Sequence, residues 1–278
     1  MSRLFATAVI AWLCLSGTAR ADDPATRPKA APKQVPQKID PSKDKVKGDA
    51  DTFVVPMPSE IVRRLQQSKV GAQLQAQIGG NPHRYDGLPP WKAALTLGVS
   101  LADLIIGLDG LPPDRVVAAL DDVVAGMTSL HVGQAQIDKV RRFRSLVQSG
   151  GMSKDQLMTQ LDAMRVELIT SGRQQLGAEN FAVLTVGGWA RAANLAARAA
   201  QDNPAGLPDL EIVKVRLVIT TLIAWLGTGA TVQPLVASLN KILPIAASSR
   251  PAAPTAADAG VVRAATDEIL AFVPGKGK

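Results

Sequence analysis

The stretch that decides the fold runs from residue 92 to residue 104 and reads KAALTLGVSLADL. It is apolar nearly all round, which is typical of a helix that is buried on most sides. Polar or small side chains recur at Thr96, Ser100, Asp103 and Gly107, a helical spacing that places them on one face. The stretch therefore predicts a core helix that carries a polar stripe.

Glycine and proline punctuate the chain on both sides of this helix. Gly-Leu-Pro occurs at residues 87–89, 110–112 and 206–208. The glycine can end a segment in the left-handed conformation, and a proline can open a helix where its missing N–H costs nothing. Helical periodicity without a period-two strand pattern predicts an all-α fold, a single bundle of about eight or nine helices. The predicted helices are 58–78, 90–108, 113–130, 133–148, 153–171, 177–201, 208–226, 231–247 and 258–272.

The N-terminal residues predict export. Residues 1–21 combine an early arginine, an apolar run over residues 4–15 and Ala-Arg-Ala at residues 19–21, which is the pattern of a signal peptide cleaved after Ala21. The apolar run is too short to cross a bilayer comfortably. Cys14 raises the alternative of a lipid anchor, but bulky Leu13 stands where such signals need a small residue. We expect an exported protein, periplasmic or secreted, without lipid anchoring at Cys14.

The predicted mature chain has three parts. Residues 22–52 are rich in Pro, Lys and Asp, and we predict a disordered tether because this segment buries too little apolar surface to offset the entropy of ordering. Residues 53–247 form the predicted helical domain, and residues 248–278 a flexible C-terminal segment with one short helix. Cys14 is the only cysteine, so cleavage would remove thiol chemistry and disulfides together.

Charge and aromatic content argue against nucleic-acid binding. The formal charge is +7, and Arg3 and Arg20 of the predicted signal account for two of these charges. Four basic residues cluster between residues 139 and 144 with Phe143 as the only aromatic side chain among them. A solvated helix face is the simplest interpretation, and a functional version would contact an envelope protein or an anionic envelope surface. No segment of the mature chain predicts a transmembrane helix.

The candidate functional residues come from two matching stripes. The helix predicted over residues 177–201 repeats the spacing of the first stripe, and if the two stripes face each other, Asp103 meets Arg191 inside the bundle. An isolated buried charge is very costly, so we favour a packing and register device, with a ligand pocket as the alternative. The predicted buried polar cluster consists of Thr96, Ser100, Asp103, Arg191, Asn194 and Arg198.

Catalytic and metal-binding patterns are weak. Only two histidines exist, His83 and His131, without metal-ligand spacing, and we interpret both as incidental or helix-capping. The sequence at residues 238–241 fits S-x-x-K, but the partner motifs of that catalytic family are missing. The adjacent acids at residues 121–122 lack the spaced ligands of a calcium loop. We predict no metal, no cofactor and no catalytic residue.

Three motifs together carry a resemblance. They are P-x-P-S-E at residues 56–60, A-L-x-L-G-V-x-x-A-D-L at residues 94–104 and G-G-W at residues 187–189. The chain resembles an uncharacterised family of exported bacterial helical proteins, often lipoproteins, with these elements in this order. The resemblance implies an exported all-helical protein and carries no catalytic residue. Members of that family often continue G-G-W with an acidic residue, where this chain has Ala190 and Arg191.

Three functions stay open on the sequence alone. The leading hypothesis is a non-catalytic cell-envelope binding or scaffold module. The alternative is a carrier of an apolar small molecule in a helical-bundle cavity, with Asp103 and Arg191 as its polar contacts. The third is an enzyme with carboxylate chemistry, which ranks last because the sequence offers no paired acid and base.

Overall fold

The computed structural model describes residues 78, 82–108, 110–151, 154–202, 216–246 and 254–275. Of this part of the chain 81% is helical and none is strand, which confirms the all-α class there. All of it lies within one unit, Lys45–Lys278. The predicted signal peptide, the tether and nearly all of the helix predicted at residues 58–78 lie outside the described residues.

Seven α-helices occur in the described ranges, against eight or nine predicted for the whole chain. Helices α1, α2 and α3 each begin and end within one residue of the prediction. Helix α4 joins two predicted helices and is interrupted at Gly177, where φ is 75°. Residues 208–215 of another predicted helix lie outside the described part. The helices are α1 Pro90–Gly107, α2 Pro113–Ser129, α3 Gln134–Gln148, α4 Lys154–Asp202, α5 Arg216–Leu226, α6 Gln233–Ile242 and α7 Ala256–Leu270.

Proline opens two of these helices as the sequence predicts. Pro90 and Pro113 occupy the first helical positions of α1 and α2, where no intrahelical acceptor is available to an N–H. The expectation of a left-handed glycine is confirmed at Gly87, where φ is 72°. After α1, the carbonyl of Gly107 accepts from the N–H groups of Gly110 and Leu111, and these two hydrogen bonds turn the chain towards α2.

Helix α1 lies at the centre of the bundle. It packs against α4 and against α2, while α7 packs against α4 and α6. Among the described residues it is the one helix whose length and composition would suffice to cross a membrane, and 72% of it is buried inside the bundle. Core helices of compact proteins share these properties, so its apolar character is explained by its packing.

Two apolar clusters surround α1. The larger joins α1 with α4, α5, α6 and α7 and contains Trp189, which is fully buried. The second joins α1 with α2 and α3 and contains Phe143, which is 1% exposed. Because α1 contributes side chains to both clusters, a polar group on its surface is held between two well-packed layers.

Glycines let α1 and α4 approach each other closely. A Cβ added at Gly98 of α1 would collide with the carbonyl oxygen of Leu184 and lie 2.8 Å from the backbone nitrogen of Gly188. A Cβ at Gly187 of α4 would collide with the carbonyl oxygen of Leu95. The two backbones are thus in direct contact, and this crossing fixes which side chains of α1 and α4 can meet.

Candidate functional site

Asp103 and Arg191 meet across the α1–α4 crossing. Nε of Arg191 donates to Oδ1 of Asp103 at 2.6 Å, and the two side chains are 15% and 7% exposed respectively. Matching helical spacings on α1 and α4 bring these residues together, although they are 88 positions apart in the sequence. Whether the pair serves packing or ligand binding stays a prediction.

The other four predicted site residues contact different parts of the bundle. Thr96 is fully buried, and its hydroxyl donates to the carbonyl of Lys92 one turn earlier in α1. Ser100 faces α2 and the loop before α1. Asn194 and Arg198 face α7. The six residues therefore do not form one cluster, because the stripes diverge from the crossing towards different neighbours.

Asn194 and Arg198 bind helix α7. The amide of Asn194 donates to Thr266 Oγ1 at 2.9 Å and to Asp267 Oδ1 at 2.8 Å. Arg198 donates to Asn194 and to Asp267, but its side chain is 38% exposed, so the expectation that it is buried is wrong. These contacts hold α7 in one register on α4. Arg198 and Asp267 remain partly exposed to solvent.

A second buried polar network surrounds Asp122 of α2. Its carboxylate accepts three hydrogen bonds: from the His83 backbone N–H at 2.8 Å, from His83 Nδ1 at 2.7 Å and from the Ser100 hydroxyl at 2.6 Å. Tyr85 Oη lies 2.9 Å from Ser100 Oγ. All four residues are at most 8% exposed. The interpretation of His83 as incidental is therefore wrong.

The hydrogen positions in this network follow from the number of donors and acceptors. An ionised carboxylate can only accept, so Ser100 and His83 Nδ1 both donate to Asp122, and Tyr85 then donates to Ser100. Burial, reinforced by the charge of Asp122, raises the pKa of the Tyr85 hydroxyl far above its ordinary value. Tyr85 thus stays a donor at every pH at which the protein is expected to work.

Gly126 makes room for Tyr85 against α2. A Cβ at Gly126 would lie 2.8 Å from the tyrosine ring. Gly126 and Asp122 are one turn apart and lie on the same face of α2. The helix therefore presents a flat surface for the ring and an acceptor for the loop beside it, which fixes the path of residues 82–88.

Ser238 and Lys241 meet on a carboxylate of α7. Ser238 Oγ donates to Glu268 at 2.8 Å and Lys241 Nζ donates to it at 2.5 Å. The two hydrogen bonds lower the pKa of Glu268, that of Lys241 most. The S-x-x-K residues thus bridge α6 to α7, a structural use that fits the sequence's lack of the partner motifs.

The basic cluster on α3 is partly neutralised. Arg144 makes two hydrogen bonds to Asp121 of α2, which raise its pKa, and Arg141 lies 3.4 Å from Asp138 on its own helix. Arg142 is exposed. Acidic partners at two of the four cations reduce the net charge that this face offers to an anionic surface.

Within the described ranges, no group of three or more His, Cys, Asp or Glu side chains is arranged to hold a metal ion. Comparison with models of known protein families, with curated proteins and with solved structures finds no match to this chain. The site is therefore defined by its own geometry: an all-α bundle in which Asp103 of α1 pairs with Arg191 of α4, and a polar network around Asp122 fastens a loop.

Proposed function

We propose that the mature chain is an exported cell-envelope binding or scaffold module, presented on the N-terminal tether. Support for export comes from residues 1–21, which combine an early arginine, an apolar run and small residues before a polar segment. Support for a scaffold comes from the bundle itself, whose helices are fastened to one another by polar contacts at several separate places.

One observation carries this proposal: the predicted site residues are used to join helices. Asp103 binds Arg191 beside a crossing in which Gly98 and Gly187 place the two backbones in contact. Ser100 is engaged with Asp122, and Asn194 with Asp267. Since these polar groups serve the interior, recognition of a partner falls to the outer surface of the bundle.

A protein is favoured over an anionic lipid surface as the partner. Long-range attraction to an anionic surface depends on net positive charge, and Asp121 and Asp138 reduce that charge beside α3. Protein interfaces, in contrast, use single arginines together with apolar side chains. Leu146, which is 37% exposed, follows Arg142 by one helical turn and offers such a combination.

Site-specific photo-crosslinking in the organism's own envelope tests the proposal. A crosslinking residue is placed at Arg142 on α3, and a matched control at Ala257 on α7; both positions are exposed. We expect an adduct of one discrete protein mass from position 142 and a weaker one or none from position 257. If neither these nor other exposed positions give a protein adduct, the module function is wrong.

A carrier of an apolar small molecule is the second candidate, and Trp189 favours it. The indole N–H of this fully buried side chain has no hydrogen-bond acceptor among the described residues. An unsatisfied buried donor costs about 1–3 kcal/mol. A bound molecule with a carbonyl or ether oxygen could accept a hydrogen bond from the indole N–H and remove this cost. The neighbouring positions on that face of α4 include Ala192, Ala193 and Ala196, all small and buried.

Native mass spectrometry of the Trp189→Phe variant tests the carrier. Phenylalanine keeps an aromatic ring and removes the N–H, and Trp225→Phe at the edge of the same apolar cluster is the matched control. We expect a retained small molecule in the wild type and the control, and its loss from Trp189→Phe. A wild type without a guest, together with a Trp189→Phe variant of higher stability, would exclude this candidate.

A further inference from the structure

The network at Asp122 does more than fasten a loop, because it fixes the chemistry of one imidazole. His83 is bound to Asp122 twice, through its backbone N–H and through Nδ1, so both its position and its ring orientation are set. Ser100 Oγ, 2.6 Å from the same carboxylate, holds the acceptor in place from α1.

The tautomer of His83 follows from these bonds. Because Nδ1 must donate to the ionised Asp122, the neutral ring carries its hydrogen on Nδ1 and a lone pair on Nε2. Among the described residues Nε2 has no hydrogen-bond partner. A buried carboxylate on Nδ1–H is how serine–histidine–aspartate hydrolases orient the ring that serves as their base, and it stabilises the imidazolium formed when Nε2 takes a proton.

We propose that His83 is a general base for the hydrolysis of small, neutral carboxylic esters, with Asp122, Ser100 and Tyr85 as positioning residues. The nucleophile is water. Ser100 is not the nucleophile, because its hydroxyl donates to Asp122 and lies 3.1 Å from Nδ1, the ring nitrogen that Asp122 already engages.

Charge and space define the substrate class. Among the described residues, Asp122 is the carboxylate that contacts His83 in this network. Its negative charge disfavours an anionic substrate. The His83 side chain is only 4% exposed, so a bulky acyl group cannot reach the imidazole. An acetyl ester satisfies both conditions.

The step balances without a further reactant. Nε2 takes a proton from water while the water oxygen bonds to the acyl carbon, and the carbonyl electron pair moves onto its oxygen. The tetrahedral intermediate then collapses, the bond between the acyl carbon and the alcohol oxygen breaks, and the imidazolium returns its proton to the departing oxygen. One ester and one water become one carboxylic acid and one alcohol.

Hydrolysis of p-nitrophenyl acetate by the full mature chain tests the proposal. We expect saturable turnover that His83→Gln lowers by about 100-fold or more, the range of a positioned base. His131→Gln, which changes the only other histidine, leaves the rate unchanged. Equal rates for the wild type and His83→Gln in folded protein overturn the proposal.

Asp122→Asn separates positioning from simple folding. Asparagine can present either an oxygen or an amide group to Nδ1, so the ring is no longer held in one tautomer, and kcat falls by about 100-fold or more. NMR of the imidazole nitrogens is expected to show the Nδ1–H form in the wild type and a mixed or reversed form in Asp122→Asn. A wild type with its hydrogen on Nε2 contradicts the proposal.

A measurement on the unaltered protein covers the case in which the variants fail to fold. Diethyl pyrocarbonate is a small neutral acyl donor that modifies an unprotonated ring nitrogen, and peptide mass spectrometry distinguishes His83 from His131. We expect carbethoxylation of His83 in the native state. If His131 reacts and His83 stays unmodified until the chain is denatured, Nε2 is closed to neutral acyl compounds and the proposal falls.

Discussion

The two buried polar sites of α1 differ in how they are built. Asp103 meets Arg191 of another long helix at a place where both backbones are in contact, and the pair joins two rigid elements. Ser100, less than one turn away, meets Asp122 and a loop that carries His83. The first site joins two helices, whereas the second joins a loop to α1 and α2.

This difference predicts separate consequences for stability. Breaking a contact between core helices exposes the whole apolar cluster that they share, so its cost appears in global unfolding. Breaking the contact that fastens a loop allows residues 82–88 to open locally while the helices stay packed. The comparison can therefore be tested by variants that act on one site at a time.

The largest effect is expected from Arg191→Met. Methionine keeps much of the side-chain volume but removes the ion-pair partner of Asp103, and breaking a buried pair in this way costs about 3 kcal/mol. Denaturant unfolding measures the loss. The double variant Asp103→Leu/Arg191→Met is the control, because replacing both charges is expected to recover most of the stability. A cost below about 0.5 kcal/mol for the single variant contradicts the structural role.

Gly98→Ala ranks second. In an exposed helix this change stabilises by about 1 kcal/mol, but here the new methyl collides with the backbone of α4, so we expect a loss of about 2 kcal/mol. Gly260→Ala on α7 is the matched control, since its Cβ would meet only the side chain of Gln201 at 3.6 Å. If both variants are stabilised, the close crossing does not exist in solution.

The sequence predicts the first site better than the second for a physical reason. A helix fixes the direction of every side chain, so if the stripes of α1 and α4 face each other, their matching spacing places Asp103 near Arg191. The loop before α1 has no such period, and nothing in its sequence gives the direction of His83. Of two adjacent acids, Asp121 is exposed and Asp122 is buried.

The sequence also contains a weaker indication of the network around Asp122. Leu120, Val123 and Met127 form the buried face of α2, and helical spacing places Asp122 at its edge, above Gly126. A carboxylate in that position needs donors, and the loop just before α1 contains both a histidine and the only tyrosine of the chain. The helix bounds were simpler to predict, because prolines mark the starts of α1 and α2.

Tyr85→Phe tests the loop site and ranks third. It removes the hydrogen bond to Ser100 at an expected cost of about 1 kcal/mol. Hydrogen exchange is expected to accelerate at the amides of residues 83–88, including the His83 N–H, with little change in α4. Equal acceleration in α4 would mean that this network belongs to the global core.

Tyr85 also predicts a pH dependence of stability. Its pKa is raised in the folded state, mainly by burial, so its contribution is complete below the pKa of an unfolded tyrosine, about 10, and declines as the pH rises above that value. Because it is the only tyrosine, tyrosinate absorbance reports on it alone. We expect this signal to appear only as the chain unfolds, and the Tyr85→Phe variant to lose this part of the alkaline dependence. Ionisation of Tyr85 near its ordinary pKa in folded protein would contradict its burial.

The smallest effect is expected from Lys241→Ala. Glu268 and Lys241 are both about half exposed, so solvent and salt screen their attraction. The clearer result is a rise in the Glu268 pKa towards its ordinary value, measured by NMR, since Lys241 is the main cause of its lowering. The lowered pKa stabilises the fold above the pKa of the unfolded carboxyl, and this contribution disappears as the pH falls. Ser238→Ala removes the other hydrogen bond to the same carboxylate and should raise the Glu268 pKa less. A larger rise than that of Lys241→Ala would show that the Ser238 hydrogen bond, and not Lys241, is the main cause of the lowered pKa.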